Sequence, residues 1–340
     1  MSTEIEKYNY SLPRDSIAQR PVEPRSSARL LDGTQGPQSI VDRTVADLPS
    51  LLGPGDLVVV NDTRVIPARL NLLRRSGGVV EVLLVDRIGD SQWEALVKPS
   101  SRVGVGERLL HRDVEVAVVH ERLSESGTRR VELLDPSFID RSGKIPYPPY
   151  IESEPEDSER YQTVYANRPG SVAAPTAGLH LDRATLAGIE RSGAELVKID
   201  LRVGLGTFLP IKVEMLDKHE MHSESYRIEP DVWRRITSAR RVVAIGTTVV
   251  RAVESAAATG VLEGRTTLFI RDSYDFKEID VLLTNFHVPK STLLVMIASF
   301  YGEGWRSLYD HALLAGYRFL SFGDAMLISR AAGRAVPVEG

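Results

Sequence analysis

The chain has 340 residues, of which 42% are apolar and 26% charged, and its 42 basic and 46 acidic side chains give a net charge of -4. This length predicts two domains, and the charge balance excludes a polycationic nucleic-acid coat protein while leaving room for a local basic site. The absence of cysteine excludes disulfides, thiolate nucleophiles, thiolate zinc sites and iron–sulfur clusters. The polar N-terminus and the shortness of the apolar runs predict a soluble, cytoplasmic protein.

The pattern of apolar and polar residues in the first half of the chain changes near residue 70. Leu57–Val60 is predicted as a buried strand that follows a Gly-Pro-Gly turn. Short runs rich in β-branched residues then recur at hairpin spacing, at 79–85, 93–97, 114–119 and 129–134. These runs predict a small all-β barrel domain over residues 70–147.

After a proline-rich linker at 144–150, the pattern becomes mixed α/β. Asp182 is the predicted N-cap of the first helix there, because its carboxylate can accept hydrogen bonds from free N–H groups. The predicted helices cover residues 182–191, 231–241, 247–259, 291–301 and 304–315, and the predicted strands cover 194–203, 242–245, 267–270, 281–283 and 317–320. The fold class is therefore predicted as mixed α/β, with a larger α/β domain built from both ends of the chain (1–69 plus 148–340) and the inserted β-barrel.

Two groups of polar residues directly follow predicted strands, where α/β folds commonly bind ligands. Asn61, Asp62, Thr63 and Arg64 form the first group, for which the alternative is a local turn with Arg64 paired to Asp62. In the second group, Gly246, Thr247 and Thr248 open a helix that also carries Arg251. Free N–H groups and hydroxyls at such a helix start predict an anion or carboxylate site, and the alternative is a capped helix with a surface ion pair between Arg251 and Glu254.

Three further segments carry histidine or glycine in loops. Thr176 and Gly178 are suited to close approach of a ligand, and His180 could act as acid, base or donor, or serve a structural role. Gly204, Gly206 and Thr207 only begin like a dinucleotide fingerprint, because Leu209 stands where the third glycine belongs. His219 and His222 have a spacing used by metal ligands, whereas an extended segment would place His222 and Glu224 on one side for proton transfer. A polar surface loop is the alternative.

The last candidate group is Asn285, His287 and Lys290, which lie between a predicted strand and an apolar helix whose predicted N-cap is Ser291. Asp324 is predicted in a tight turn further on. Taken together, the polar residues concentrate in connections beside apolar elements. This arrangement favours an enzyme over an interaction scaffold, but it does not identify the reaction.

In chain order, these segments resemble the S-adenosylmethionine:tRNA ribosyltransferase-isomerase family of queuosine biosynthesis. The resemblance covers nearly the whole chain and rests on residues 17–21, 55–69, 145–150, 161–166, 170–180, 203–208, 221–224, 244–248, 283–287 and 319–326. The sequence departs from the family pattern at Leu209, where a basic residue is common, at Arg271–Ser273, where a Pro-Gly turn is usual, and over 32–45.

The resemblance implies that S-adenosylmethionine is a co-substrate that donates its ribosyl unit. The implied acceptor is the aminomethyl-deazaguanine (prequeuosine) base at the tRNA wobble position, and the implied products are epoxyqueuosine-tRNA, adenine and methionine. A base removes a proton from the carbon next to the sulfonium, adenine leaves, the substrate amine attacks, and epoxide closure expels methionine. No metal is needed. The implied fold is an open-barrel α/β domain with a small β-barrel.

Residue roles follow from the resemblance as hypotheses. Acid/base work is assigned to His180, His222 and Glu224, without deciding which takes the first proton. The predicted S-adenosylmethionine and substrate residues are Asn61, Asp62, Thr63, Arg64, Thr176, Gly178, Gly204, Gly206, Thr207, Gly246, Thr247, Thr248 and Arg251. The predicted contacts to the target base or tRNA are Arg69, Asn285, His287 and Lys290.

We also expect a monomer that binds tRNA through a local basic track, with Arg64, Arg69 and Arg251 as the first candidates among the 34 arginines. Such binding should weaken as salt is added. Two other function classes stay open at this point. One is a metal-dependent hydrolase that uses His180, His219 and His222, and the other is a non-catalytic tRNA-binding protein.

Overall fold

The computed structural model describes residues 4–123, 127–204, 211–271 and 274–331. Within these ranges the strands are β1 (Arg29–Asp32), β2 (Val41–Thr44), β3 (Asp56–Asn61), β4 (Thr63–Val65), β5 (Arg69–Leu73), β6 (Val79–Arg87), β7 (Gln92–Lys98), β8 (Glu107–His111), β9 (Val114–Arg122), β10 (Arg129–Leu133), β11 (Arg168–Ser171), β12 (Glu195–Leu201), β13 (Glu224–Arg227), β14 (Arg241–Ile245), β15 (Glu263–Thr266), β16 (Val281–Asn285) and β17 (Ala325–Ser329). The α-helices are α1 (Phe138–Ser142), α2 (Arg183–Arg191), α3 (Pro230–Ser238), α4 (Thr247–Thr259), α5 (Thr292–Tyr301) and α6 (Trp305–Leu314).

The chain divides into two compact units. The larger unit contains the described residues of 1–63, 149–168 and 174–340, and the smaller contains those of 64–148 and 169–173. The predicted class, mixed α/β with an all-β barrel, is confirmed by a nine-stranded mixed sheet and a closed six-stranded barrel. None of the helices in the described ranges has the length and apolarity needed to span a membrane.

The centre of the larger unit is the sheet, with strand order β15-β13-β12-β3-β14-β16-β17-β1-β2. Strands β12, β3, β14 and β16 are parallel, and Val59 pairs with both Val197 and Ala244. Every residue of β3 and β16 is buried, which explains their continuous apolar sequence, because helices or loops cover both faces of a parallel sheet. The parallel arrangement brings the carboxyl ends of β3, β14 and β16 to the same edge.

Two helix starts in this unit are capped as the sequence predicts. The Asp182 carboxylate accepts from the N–H of Thr185 at 2.8 Å, and the Ser291 hydroxyl accepts from the N–H of Leu294 at 3.2 Å. Both caps satisfy donors that have no partner within the helix. The Ser291 cap also fixes the start of α5 beside the end of β16.

The smaller unit contains the antiparallel barrel, with order β10-β7-β6-β5-β8-β9. All four predicted strand runs are confirmed, and β5 and β8 are additional strands. In β5, buried Leu70 and Leu72 alternate with less buried neighbours, so the apolar residues of this strand recur with a period of two. This strand was not predicted from the sequence. Helix α1 lies in the same unit.

Two strand predictions in the larger unit are wrong. The strand expected at 267–270 lies at Glu263–Thr266, where charged residues and a glycine weaken the strand signal. The strand expected at 317–320 is a single bridge between Phe319 and Ile17, because Leu320 adopts a φ of 69° and ends the extended backbone. The last strand is β17 instead.

Candidate active site

The first cavity of the larger unit, called cavity 1, lies at the carboxyl edge of the parallel strands. It spans about 560 Å³ of space, part of which is open solvent. Its walls include the ends of β14 and β16 and the starts of α4 and α5. Six of the predicted site residues line it: Thr176, Gly246, Thr247, Thr248, Asn285 and His287. Ligands of α/β folds commonly occupy this position.

Asn285, at the end of β16, joins Thr176 to His180 through its side-chain amide. Its Nδ2 donates to the Leu320 carbonyl at 3.2 Å, which fixes the orientation of the amide because a carbonyl only accepts. The same nitrogen lies 2.8 Å from His180 Nε2, so Nε2 must be the acceptor and His180 carries its proton on Nδ1. Asn285 Oδ1 accepts from the Thr176 hydroxyl at 3.0 Å. The Thr176 oxygen therefore presents acceptor capacity to cavity 1.

His180 and His287 are both neutral at pH 7. Burial lowers the pKa of His180 to about 3, and the charges of Arg318, Arg160 and Arg25 add to this effect. Burial alone lowers the pKa of His287 to about 3, and its Nε2 lies 2.9 Å from the Thr284 hydroxyl. These rings can donate or accept hydrogen bonds without carrying charge into the cavity.

The start of α4 forms a second wall of cavity 1. Gly246 has a φ of 97°, a conformation that glycine adopts without a Cβ penalty, and its N–H donates to Leu283. The first backbone bonds of the helix run to Gly246 from Val249 at 3.1 Å and Val250 at 3.4 Å, so the N–H groups of Thr247 and Thr248 lie at the positively polarised helix start. This wall suits a carboxylate.

The predicted strand-end group around Asn61 serves mainly to join strands. Asn61 Oδ1 accepts from the N–H groups of Leu201 and Thr63, and its Nδ2 donates to the Leu201 carbonyl at 2.9 Å. The bond to Thr63 is the local turn that the sequence allowed. Its Nδ2 also reaches the Thr248 hydroxyl at 3.4 Å, so Asn61 links β3 to the wall of cavity 1.

Asp62 is buried and pairs with Arg168, with 3.8 Å between Oδ1 and Nε. Burial raises the pKa of Asp62, and the neighbouring Asp200, also buried, adds to this rise. Sequence analysis did not identify Arg168 or Asp200, since each lies more than 100 residues from Asp62.

A second cavity in the same unit, called cavity 2, has a volume of about 410 Å³. Its polar lining residues are His219, His222, Glu224, Arg251 and Thr292, and it shares Leu293 with cavity 1. His222 and Glu224 both line this cavity, but His222 is exposed whereas Glu224 is 3% exposed. Burial, and then the charge of His222, lower the pKa of His219.

Glu224 and Arg251 form a buried ion pair at the base of cavity 2, with their side chains 3% and 5% exposed. Glu224 Oε1 also accepts from the Gly204 N–H at 3.0 Å, and Arg251 donates to the carbonyls of Leu268 and Thr266. The expectation that Arg251 lies on a basic surface track is therefore wrong. The alternative of a surface pair with Glu254 is also wrong, because Glu254 is buried and accepts from the N–H groups of 277–279.

The proposed histidine metal site does not assemble. His219 and His222 line cavity 2, whereas His180 lies behind Asn285 and lines a different pocket. Across 4–123, 127–204, 211–271 and 274–331, no group of three or more His, Cys, Asp or Glu side chains is arranged to hold a metal ion. The side-chain positions thus do not support the hydrolase alternative.

Gly178 is close to protein atoms, not to a cavity. A Cβ at this position would lie 2.0 Å from Tyr165 Oη and 2.9 Å from Thr163 Cγ2. We therefore predict that Gly178→Ala lowers the unfolding free energy by about 1–3 kcal/mol, through overpacking. Urea unfolding measures this loss. Gly53→Ala, whose Cβ would meet nothing nearer than 4.0 Å, is the matched control.

Replacing Tyr165 by Phe removes the atom nearest to the new methyl group. Tyr165 Oη has no hydrogen-bond partner among the described residues, so its removal breaks no bond there. We expect Gly178→Ala/Tyr165→Phe to recover part of the stability. A Gly178→Ala protein as stable as Gly53→Ala would contradict the overpacking.

The other predicted residues lie elsewhere or outside the described ranges. Arg69 belongs to the barrel, where its Nε lies 3.6 Å from Glu81, and the half-buried Arg64 lies in the same unit. Lys290 has a φ of 56° and pairs with Glu6. Gly206, Thr207, Leu209 and the part of 271–273 beyond Arg271 lie outside the described residues.

Two residues of cavity 1 were not singled out from the sequence. Tyr150 and Ser321 line it, and their hydroxyl oxygens lie 2.7 Å apart. Both belong to segments that carry the family resemblance, 145–150 and 319–326. Their place in these two segments was the one sequence feature that pointed to a functional role. Neither residue stands in a motif that indicates a particular chemistry.

Comparison with known proteins adds independent evidence. A family model described as "Queuosine biosynthesis protein" matches residues 5–328. A relative from Rubrobacter xylanophilus named S-adenosylmethionine:tRNA ribosyltransferase-isomerase is 47% identical, covering 95% of this chain and 97% of the relative. A relative of the same name from Thermus thermophilus is 46% identical, covering 95% and 99%.

A solved structure leads to the same family. The crystal structure of S-adenosylmethionine tRNA ribosyltransferase from Thermotoga maritima has a TM-score of 0.55 and 33% identity with this chain. The match covers 95% of this chain and 99% of that one. Together with the match of the family model and the near-complete coverage of the relatives, this shows that the chain belongs to the queuosine biosynthesis protein family.

Proposed function

We propose that this chain transfers and isomerises the ribosyl unit of S-adenosylmethionine onto the prequeuosine base at the tRNA wobble position. The products are epoxyqueuosine-tRNA, adenine and methionine. The names of the full-length relatives support this activity. The observation that carries it is cavity 1, where six of the predicted residues line one space at the carboxyl edge of the sheet.

The walls of cavity 1 match the parts of S-adenosylmethionine. The α4 start offers N–H groups and two threonine hydroxyls to the methionyl carboxylate. The acceptor oxygen of Thr176 suits an amino or hydroxyl group of the adenosyl part or of the incoming base. Asn285 and His287 are the contacts we propose for the target base, and Arg69 and Lys290 are those we propose for tRNA.

The chemistry requires proton transfers at two stages. The sulfonium acidifies the neighbouring ribosyl carbon, so a base removes that proton, and adenine then leaves with a proton or hydrogen bond. The substrate amine attacks, and closure of the epoxide expels methionine. We assign the acid/base work to His180, His222 and Glu224. Of these, His222 is exposed and lines cavity 2, where Glu224 is paired with Arg251. His180 reaches cavity 1 through its hydrogen bond with Asn285.

The proposed steps use no metal. S-adenosylmethionine is a co-substrate, tRNA is the macromolecular partner, and catalysis belongs to the domain of residues 1–69 plus 148–340. A monomer acting in the cytoplasm is the setting we propose.

One assay tests the reaction. The protein is incubated with S-adenosylmethionine labelled in the ribosyl unit and tRNA that carries the precursor base. Label in the tRNA, with release of adenine, supports the transferase. Binding of tRNA without transfer of label would instead indicate a non-catalytic tRNA-binding protein.

We predict that His222→Ala lowers the rate of adenine release in a single turnover by about 10²–10⁴-fold, the usual contribution of a general acid or base. Binding of tRNA should be unchanged. His219→Ala is the matched control, because His219 lines the same cavity and is not assigned a proton transfer. Near-normal adenine release in His222→Ala would remove His222 from the mechanism.

A further inference from the structure

A third pocket of the larger unit, called the arginine pocket, contains His180 but is assigned no substrate group in the steps above. It spans about 210 Å³ of space, part of which is open solvent. Its polar lining residues are Arg25, Arg160, His180 and Ser321, and none of its lining residues carries a carboxylate. Arg318 lies outside the lining and donates to the carbonyl of Arg20, the neighbour of the lining residue Pro21. Segments 17–21 and 319–326, which carry the family resemblance, contribute to its lining, and Gln162 of segment 161–166 accepts from Arg25.

The three guanidinium groups are held in place by neutral carbonyl groups. Arg25 Nη1 donates to Gln162 at 2.9 Å and to Leu179 at 3.1 Å. Arg160 Nη2 donates to Val22 at 2.8 Å, and Arg318 Nη1 donates to Arg20 at 3.2 Å. Carbonyl partners fix the position of a guanidinium without neutralising its charge, so the positive charges are preorganised.

Carboxylates near these arginines compensate part of the charge, and the charges of Glu23, Asp157 and Asp182 all act on Arg25. Glu23 pairs with Arg160, but its side chain is 67% exposed. Asp324 lies 3.5 Å from Arg318, but its oxygens accept from the backbone N–H groups of Arg29 and Arg318. Among the described residues, Arg160 Nη1 is buried and has no hydrogen-bond partner, whereas Arg318 Nη2 lies 3.5 Å from Asp324 Oδ1.

The positive potential of this pocket extends to His180. The charges of Arg318, Arg160 and Arg25 all act on this ring, in the same direction as its burial. A cationic site in which Arg160 Nη1 is a buried donor without a partner is suited to an anion, and the planar fork of arginine matches the oxygens of phosphate.

The arginine pocket and cavity 1 share a wall. Ser321 lines both, and His180 in the arginine pocket is hydrogen-bonded to Asn285 in cavity 1. A group bound in one pocket is therefore one side chain away from a group bound in the other. The shared wall suits a nucleotide whose base lies in cavity 1 and whose backbone lies in the arginine pocket.

We propose that Arg25, Arg160 and Arg318 form a subsite for one phosphodiester group of the RNA substrate, adjacent to the nucleotide that is modified. This inference rests on the proposed function for the identity of the RNA. The competing anion is the carboxylate of S-adenosylmethionine, to which the start of α4 in cavity 1 is already suited.

The test is a binding cycle that needs no turnover. Anticodon stem-loop RNA carrying the precursor base is prepared with single uncharged methylphosphonate linkages at successive positions around the wobble nucleotide. Fluorescence anisotropy then gives Kd for each RNA without S-adenosylmethionine. For the wild-type protein, one linkage should weaken binding about tenfold, as expected for hydrogen bonds to a charged group.

In Arg160→Gln, the natural RNA should bind about tenfold more weakly, and neutralising that same linkage should cost less than twofold more, because the two changes remove one interaction. Arg234→Gln is the matched control, since Arg234 lies exposed on α3, and it should keep the full linkage penalty. If thermal melting shows that Arg160→Gln is not folded, Arg318→Gln takes its place.

Equal linkage penalties in the wild type and the variant at every position would overturn the subsite. A calorimetric titration with S-adenosylmethionine alone provides the second arm, in which Arg160→Gln should bind like the wild type. A weaker affinity there, with the linkage penalty intact, would assign the pocket to the carboxylate and also overturn the proposal. A positive cycle without transfer of ribosyl label would leave the subsite standing and reject the proposed reaction.

Discussion

Glu224→Leu is expected to lower the unfolding free energy by about 3–5 kcal/mol, because it leaves the buried guanidinium of Arg251 without its counter-charge. Domains are typically stable by only about 5–15 kcal/mol, so this change removes a large share of the total. The two carbonyls that Arg251 also contacts can hold its N–H groups but cannot neutralise it. Urea unfolding followed by circular dichroism measures the effect.

The double variant Glu224→Leu/Arg251→Met separates the ion pair from simple loss of packing. Replacing both partners by apolar side chains removes the unpaired charge, so the double variant should be more stable than Glu224→Leu alone. Glu195→Leu is the matched control, because Glu195 and Arg235 form an exposed pair, whose loss should cost less than about 1 kcal/mol. Equal losses in Glu224→Leu and Glu195→Leu would show that burial of the pair has no energetic consequence.

The same double variant also tests whether Glu224 transfers a proton in the reaction. If Glu224 serves only to hold Arg251, a folded double variant should retain much of the adenine release. If Glu224 transfers a proton, as we propose, the folded double variant should stay inactive.

Asn285→Asp is expected to lower the rate of ribosyl transfer by about 10²-fold or more. The substitution keeps the shape of the side chain but replaces the donor Nδ2 by an oxygen. That oxygen would face the Leu320 carbonyl and His180 Nε2, which are both acceptors. His180 must then bind a proton on Nε2 or turn away, and small displacements of groups in an active site have costs of this size.

Two measurements test this expectation. Single-turnover adenine release gives the rate, and ¹⁵N chemical shifts of the imidazole rings give the protonation state of His180. The wild type should show a neutral His180 with its proton on Nδ1 at pH 7, and the variant should show protonation at Nε2. Asn71→Asp, at an exposed position of β5, is the control and should change neither. An unchanged His180 signal in Asn285→Asp would contradict the hydrogen-bond assignment.

The predicted strand ends identify much of the candidate site. Gly246 and Asn285 follow apolar strand patterns, and parallel strands bring their carboxyl ends to one edge, so local sequence is enough to place both residues at cavity 1. The helix caps at Asp182 and Ser291 were predictable for a similar reason, because a cap depends on residues within three positions of it.

Contacts between distant segments could not be predicted. Nothing in the local pattern of Glu224 indicates a partner 27 residues away, and the loop at 219–224 was interpreted as a candidate for proton transfer without it. Similarly, Gly178 looked suited to a ligand, whereas the atom that requires a glycine there belongs to Tyr165. Such pairings depend on tertiary packing, which cannot be predicted from the spacing of apolar residues along the sequence.

The ends of the nine-stranded sheet have a consequence for aggregation. An exposed edge strand offers unpaired N–H and C=O groups to a strand of another molecule. Here the edge strands β2 and β15 have four residues each and carry charged side chains, including Asp42 and Arg43 in β2 and Glu263 and Arg265 in β15. The six-stranded barrel is closed and has no edge. The nine-stranded sheet and the barrel therefore offer few strand edges to another molecule. This lowers the tendency of the protein to aggregate by β-pairing at high concentration.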